Sequence, residues 1–184
     1  SIVQTKKLTD DIRRIFNDKK YPILIDQEGG RVNRLANLID SSNFTGEFFG
    51  NLYKKNIKKF NVFYKIFINQ TCYLLNEIGI NINTVPVLDL RYNKSNNIIG
   101  NRSFGSSPKI VSRIGDHFIN QFHKNNIATV IKHIPGHGLA KVDSHKTTPI
   151  IKRKLNYLNK TDFFVFKNKK SLFAMTAHVV YQDI

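Results

Sequence analysis

The sequence predicts an α/β fold built on parallel strands, and three observations carry that reading. Helix-like and strand-like apolar patterns alternate along the chain, and such alternation implies parallel strands joined by right-handed crossovers. The strand-like stretches are continuous apolar runs, such as Ile127-Ala128-Thr129-Val130-Ile131, the pattern of a strand covered on both faces. Those runs close on polar residues, at Asp26, at Asp89 and at Lys132-His133, and α/β folds place their sites just past the C-terminal ends of strands. A length of 184 residues suits one domain with a sizeable core.

In chain order, residues 1–17 read as an amphipathic helix with Leu8, Ile12 and Ile15 on one face. Residues 21–25 form a short apolar strand that ends at Asp26. Gly29-Gly30 makes the next loop and lacks the third glycine and helix-opening context of a dinucleotide fingerprint. Residues 37–51 read as loop with a short helical piece. Ile57, Phe60, Tyr64, Phe67, Thr71, Leu74 and Ile78 recur at helical spacing, and Gly79 stops that helix. Residues 80–88 are a strand interrupted by Pro86, and 91–106 are a polar loop carrying Arg102. Ser107-Pro108 reads as N-cap and first-turn proline of a helix buried through Val111, Ile114, Phe118 and Phe122. The strand 127–131 follows and ends on Lys132 and His133. A Pro135-Gly136 turn then releases a loop that closes with Asp143 and His145. Thr161-Asp162 opens a short helix through Phe166, placing Asp162 away from the strand ends. Residues 172–176 are the last strand, with His178 just beyond.

Composition removes several function classes. Apolar residues make up 41% of the chain, too many for a disordered segment. The net charge of +16 invites a nucleic-acid reading, yet the lysines are scattered and no basic, aromatic platform stands out. Cys72 is the single cysteine, so no intrachain disulfide forms, and it reads as a small buried hydrophobe. No apolar run approaches the roughly 20 residues of a membrane helix, and residues 1–11 lack a signal core.

The stretch from Lys132-His133-Ile134-Pro135-Gly136-His137-Gly138 to Asp143-Ser144-His145 resembles the signature of family 3 glycoside hydrolases, in the branch of bacterial β-N-acetylglucosaminidases. Ile25-Asp26-Gln27-Glu28-Gly29-Gly30-Arg31-Val32-Asn33-Arg34, Val85-Pro86-Val87-Leu88-Asp89 and Gly100-Asn101-Arg102-Ser103-Phe104 agree in order, and Met175-Thr176-Ala177-His178 agrees more loosely. The resemblance implies a (β/α)8 TIM-barrel type of fold with only about four β/α units present, so residues 1–184 would be a partial N-terminal barrel domain. A four-stranded open sheet leaves two unpaired edges, and the expectation is a fragment, or a unit completed by association through those edges.

Cleaving a glycosidic bond takes a proton donor and a nucleophile or base on the opposite face of the sugar. Histidine can donate near neutral pH, and a neighbouring carboxylate can fix its tautomer. The resemblance accordingly implies His145 as acid/base with Asp143 as its orienting partner. It also implies that Asp26, Arg34, Arg102, Lys132 and His133 bind the sugar ring. Asp89 reads as ordering its strand-end loop and His137 as holding loop shape. A metal site at His133, His137 and His145 is disfavoured, because Pro135 and Gly136 forbid the helix that zinc spacing needs. The nucleophile is expected outside this chain. The reading is a retaining exo-β-N-acetylhexosaminidase acting on peptidoglycan fragments in the cytoplasm, without cofactor, nucleic-acid partner or membrane. The alternatives are a phosphorylase of the same family and an inert sugar-binding fragment.

Overall fold

The computed structural model describes residues 1–92, 98–142 and 147–184. Asp143 and His145 lie outside the described residues.

The chain opens with α1 (Ile2–Ile15), capped by the Ser1 hydroxyl, which accepts from the Gln4 amide at 3.3 Å. The expected apolar face does not pack inward. Leu8 is 59% and Ile15 76% exposed, and Thr9 is buried instead. The Thr9 hydroxyl donates to the Ile78 carbonyl at 2.8 Å, and Gly79, at φ +74, leaves room for it where a Cβ would lie 2.5 Å from that oxygen. The helix docks on the end of its neighbour through Thr9 and Arg13, both beside Gly79, which periodicity does not encode.

Strand β1 (Leu24–Ile25) leads into the antiparallel hairpin of β2 (Gln27–Gly29) and β3 (Val32–Asn33), where a plain glycine loop was expected. Helix α2 (Gly46–Lys55) is capped by Thr45, whose hydroxyl accepts from the Phe48 amide at 3.0 Å. It runs beyond the short piece expected within 37–51. Helix α3 (Ile57–Glu77) buries Phe60, Tyr64, Phe67 and Thr71 as its periodicity requires, together with Ile68, Cys72 and Leu75. Ile57 at its start is exposed.

Strand β4 (Ile82–Asn83) is shorter than its apolar run. Pro86 lacks the amide hydrogen a ladder needs, and pairing resumes as a single bridge between Val87 and Lys132. After a 3-10 turn at Gly100–Arg102, α4 (Pro108–Lys124) buries Val111, Ile114, Phe118 and Phe122. Ser107 holds the N-cap position but its hydroxyl makes no capping bond.

Strand β5 (Ala128–Ile134) continues three residues past the expected end, so Lys132 and His133 lie within it. Strand β6 (Ile150–Ile151), the single turn α5 (Leu155–Leu158), a 3-10 turn at Phe164–Phe166, β7 (Phe173–Thr176) and β8 (Val180–Tyr181) complete the order. The helix expected from Thr161 is absent. Asp162 is buried among the loops that follow β4, β5 and β7, contrary to the placement expected for it. Its Oδ2 accepts from the Tyr92 hydroxyl at 2.7 Å rather than capping a helix.

The four strands β1, β4, β5 and β7 form one parallel sheet in chain order. Each crossover therefore moves to the next position, the arrangement from which a β/α barrel is wound. Strands β6 and β8 form a separate parallel pair. Helices α2, α3 and α4 cover the sheet through an aromatic core. Phe49 sits 5.3 Å from Phe67 and 5.2 Å from Phe118, ring centroid to centroid, spacings that favour tilted and edge-on contacts.

Helix α2 also presses on the segment that carries Arg102. A Cβ on Gly46 would fall 2.1 Å from the Arg102 carbonyl oxygen, and one on Gly50 1.7 Å from that of Phe104. Backbone cannot yield as a side chain does. Gly50→Ala is expected to cost about 1–3 kcal/mol and to lower the melting temperature by about 2–4 °C for each kcal/mol lost. An unchanged melting temperature would show that α2 and the Arg102 segment are not in this register.

Candidate active site

The site is assembled one strand end at a time. Asp26 follows β1, Arg34 follows β3, Arg102 closes the turn after β4, and Lys132 and His133 come from β5. All five line one cavity of about 330 Å³, together with Glu28, His137, Thr176 and His178. Pockets for small ligands begin at about 300 Å³, so this one has room for a single sugar ring. Adjacent strand residues normally face opposite ways. Lys132 and His133 both reach the cavity because the pairing of β5 with β7 shifts register between Lys132 and Ile134, and such bulges re-aim side chains.

Its floor is a balanced set of charges. Lys132, with 3% of its side chain exposed, reaches Asp26 Oδ1 at 2.7 Å and Glu28 Oε1 at 2.6 Å. It also donates to the Thr84 hydroxyl at 3.1 Å, and that hydroxyl hydrogen-bonds Asp26. Arg102 grips Glu28 with both prongs, Nε to Oε2 at 2.8 Å and Nη2 to Oε1 at 2.7 Å, the strong bidentate geometry. Burial acts to raise the Glu28 pKa, but the hydrogen bond from Arg102 and the charge of Lys132 override it and hold this carboxyl below its usual range. Asp26 follows the same logic, with burial opposed by Lys132 and Thr84. Asp26 stays 39% exposed and keeps accepting capacity toward the cavity.

His133 is oriented from behind. Its Nδ1 lies 2.6 Å from Asp89 Oδ2, and Asp89 Oδ1 accepts from the His137 amide at 2.7 Å. With Nδ1–H donating to a carboxylate, Nε2 is left for a ligand. Asp89 is fully buried. Burial raises its pKa, and the bonds from His133 and His137 bring it below the ordinary value. Just before His137 the chain is seated at Gly136, where a Cβ would lie 2.7 Å from the Asp162 side chain. The Tyr181 hydroxyl donates to the Gly136 carbonyl. These contacts fix the chain at Gly136.

Sequence reasoning missed Glu28, Thr84, Gln27 and Asn83. Gln27 is buried, and its Oε1 accepts from the Arg34 and Leu35 amides at 2.9 and 3.1 Å. Asn83 brackets the Gln27 backbone, accepting from its amide at 3.0 Å and donating to its carbonyl at 2.8 Å. The one signal available was that polar residues interrupt otherwise apolar strand ends.

Among the described residues no group of three or more His, Cys, Asp or Glu is placed to hold a metal ion. Among them, too, no helix is long and apolar enough to cross a membrane.

Consecutive parallel β/α units with a polar cavity at the C-terminal strand ends define the barrel-type α/β class. The chain matches the glycosyl hydrolase family 3 N terminal domain over residues 1–184. A beta-hexosaminidase of Haemophilus ducreyi is 35% identical, over 98% of this chain and 53% of its own length. Beta-hexosaminidase A of Pseudoalteromonas piscicida is 34% identical, over 86% of this chain and 27% of its own length. The crystal structure of NagZ from Neisseria gonorrhoeae in complex with N-trifluoroacetyl-D-glucosamine superposes with a TM-score of 0.89 at 29% identity, covering 100% of this chain and 54% of that one. The chain belongs to glycosyl hydrolase family 3. It spans about half the length, or less, of the curated relatives it matches.

Proposed function

We propose that residues 1–184 are part of a β/α barrel domain that binds the terminal N-acetylglucosamine of a substrate for a retaining exo-β-N-acetylhexosaminidase. Peptidoglycan fragments are the substrate class and the cytoplasm the site of action. The observation that carries the reading is the convergence of Asp26, Arg34, Arg102, Lys132 and His133 on one cavity. Asp26 accepts from vicinal hydroxyls while Lys132 holds its carboxylate in place. His133 Nε2 and the Arg34 guanidinium serve the remaining ring substituents. Arg102 acts mainly through Glu28. His145 protonates the leaving oxygen with Asp143 holding its tautomer. The carboxylate nucleophile of the retaining step is not assigned among these residues.

Calorimetric titration with N-acetylglucosamine tests this. Asp26→Ala is expected to weaken binding by about tenfold or more, since charge-assisted hydrogen bonds are worth roughly 1.5–3 kcal/mol, with the melting temperature recorded alongside. Undiminished affinity in a folded Asp26→Ala protein would remove the cavity as the sugar site.

A further inference from the structure

We propose that the outer face of α3, together with its junction to α2, is a docking surface for an anionic lipid bilayer. The inference is independent of the sugar site and adds a partner to it. Contact of this kind lies in the headgroup plane and needs no spanning segment.

The face is apolar where the outer side of a packed helix is ordinarily polar. Val62 is 54% and Ile66 57% exposed, and Ile57, Phe63 and Tyr73 are exposed beside them. At 3.6 residues per turn, Val62, Ile66 and Tyr73 fall within about 40° of one another, opposite the buried Phe60, Tyr64 and Thr71. By the same spacing Lys58 and Lys65 flank that stripe on one side and Lys59 on the other. Lys54 and Lys55 stand in the last turn of α2, just before it. These lysines look scattered in the sequence, and folding gathers them around exposed hydrocarbon.

The charges are held at a local cost. Lys58 and Lys59 stand in the first turn of α3, which holds no acidic residue. Cations there oppose the positive end of the helix dipole. No carboxylate of the described residues forms an ion pair with Lys54, Lys55, Lys58, Lys59 or Lys65. An anionic surface brought against this face relieves the repulsion among the lysines and complements the dipole.

The chemistry selects a bilayer over other polyanions. Residues 46–77 contain lysine but no arginine. The lysine ammonium is a point charge that suits a diffuse headgroup layer, whereas arginine supplies the fork that grips a nucleic-acid phosphate or a protein carboxylate. A bilayer also offers hydrocarbon to Val62 and Ile66 while its headgroups meet the lysines. Helix α3 ends at Glu77 and β4 starts at Ile82, so the first turn of α3 lies toward the C-terminal ends of the strands. Lys54 lines a cavity there with Ser103, the neighbour of Arg102. Docking therefore holds the sugar-site end of the fold close to the membrane surface.

Co-sedimentation with vesicles decides the matter. The protein is expected to partition onto phosphatidylglycerol–phosphatidylethanolamine vesicles and not onto phosphatidylcholine vesicles, and added salt should release it. Lys58→Gln/Lys59→Gln should weaken partition roughly tenfold or more, since each lysine near an anionic surface contributes appreciably. Lys19→Gln/Lys20→Gln removes the same charge from another exposed place and should leave partition nearly unchanged. Val62→Ser/Ile66→Ser keeps every charge and should weaken it several-fold, with the melting temperature recorded for each variant. Equal loss in the two lysine pairs would make the effect one of net charge and overturn the proposal. So would partition indifferent to Val62→Ser/Ile66→Ser, or tighter binding to a DNA duplex or to polyglutamate than to the anionic vesicles. Titration with N-acetylglucosamine judges the sugar site separately, so either reading can fail while the other stands.

Discussion

Glu28→Ala is expected to destabilise the protein by about 3–5 kcal/mol, the loss seen when one partner of a buried ion pair is removed. Asp26 and Glu28 balance Lys132 and Arg102, and Lys132 has 3% and Glu28 6% of its side chain exposed. Without Glu28 the cluster carries a net positive charge centred on Lys132, whose side chain is 3% exposed. Arg102 also loses both prongs of its grip. Charge balance makes a sharper prediction. Glu28→Gln/Lys132→Met leaves Asp26 facing Arg102 and should recover part of the loss of Glu28→Gln alone. Denaturant midpoints measure all three. A loss under about 1 kcal/mol for Glu28→Ala would place this network among surface pairs.

The same cluster sets the acid limb of stability. Glu28, Asp26 and Asp89 are held below their ordinary values in the fold. Their contribution is therefore present above the usual carboxylate range, near pH 4, and is lost as pH falls through the lower folded values. His137 is kept neutral chiefly by burial, and its contribution starts to fall below about pH 6.5. Asp162 runs the other way, because burial raises its pKa, and its contribution fades as pH rises.

His145→Ala is the second large effect. In the whole enzyme it is expected to lower kcat by about 10²–10⁴ for substrates with poor leaving groups, the usual worth of a positioned proton donor. Aryl glycosides whose phenolate departs without protonation should be nearly spared. The contrast, rather than the loss itself, identifies the role. Equal losses for both substrate types would make His145 a structural or binding residue. Asp143→Asn should follow the same contrast more weakly, since it acts by orienting the imidazole.

The alternation of elements, the buried faces of α3 and α4 and the strand-end position of Asp26 were legible in the sequence. Each depends on residues a few places apart, through helical period, capping and turn chemistry. The segments around Asp26, Arg102 and Lys132 also carried the family resemblance. Only the tertiary structure decided which faces close and which charges meet. Thr9, rather than Leu8 and Ile15, seats α1 because the end of α3 offers a carbonyl there. Asp162 reaches the strand-end loops because Tyr92 supplies a donor 70 residues away. Glu28 becomes the centre of the site because Arg102, 74 residues on, and Lys132 both point at it. Local pattern determines what each segment is. Pairing between distant charges follows from how the sheet brings strand ends together, and no nearby residue carries that information.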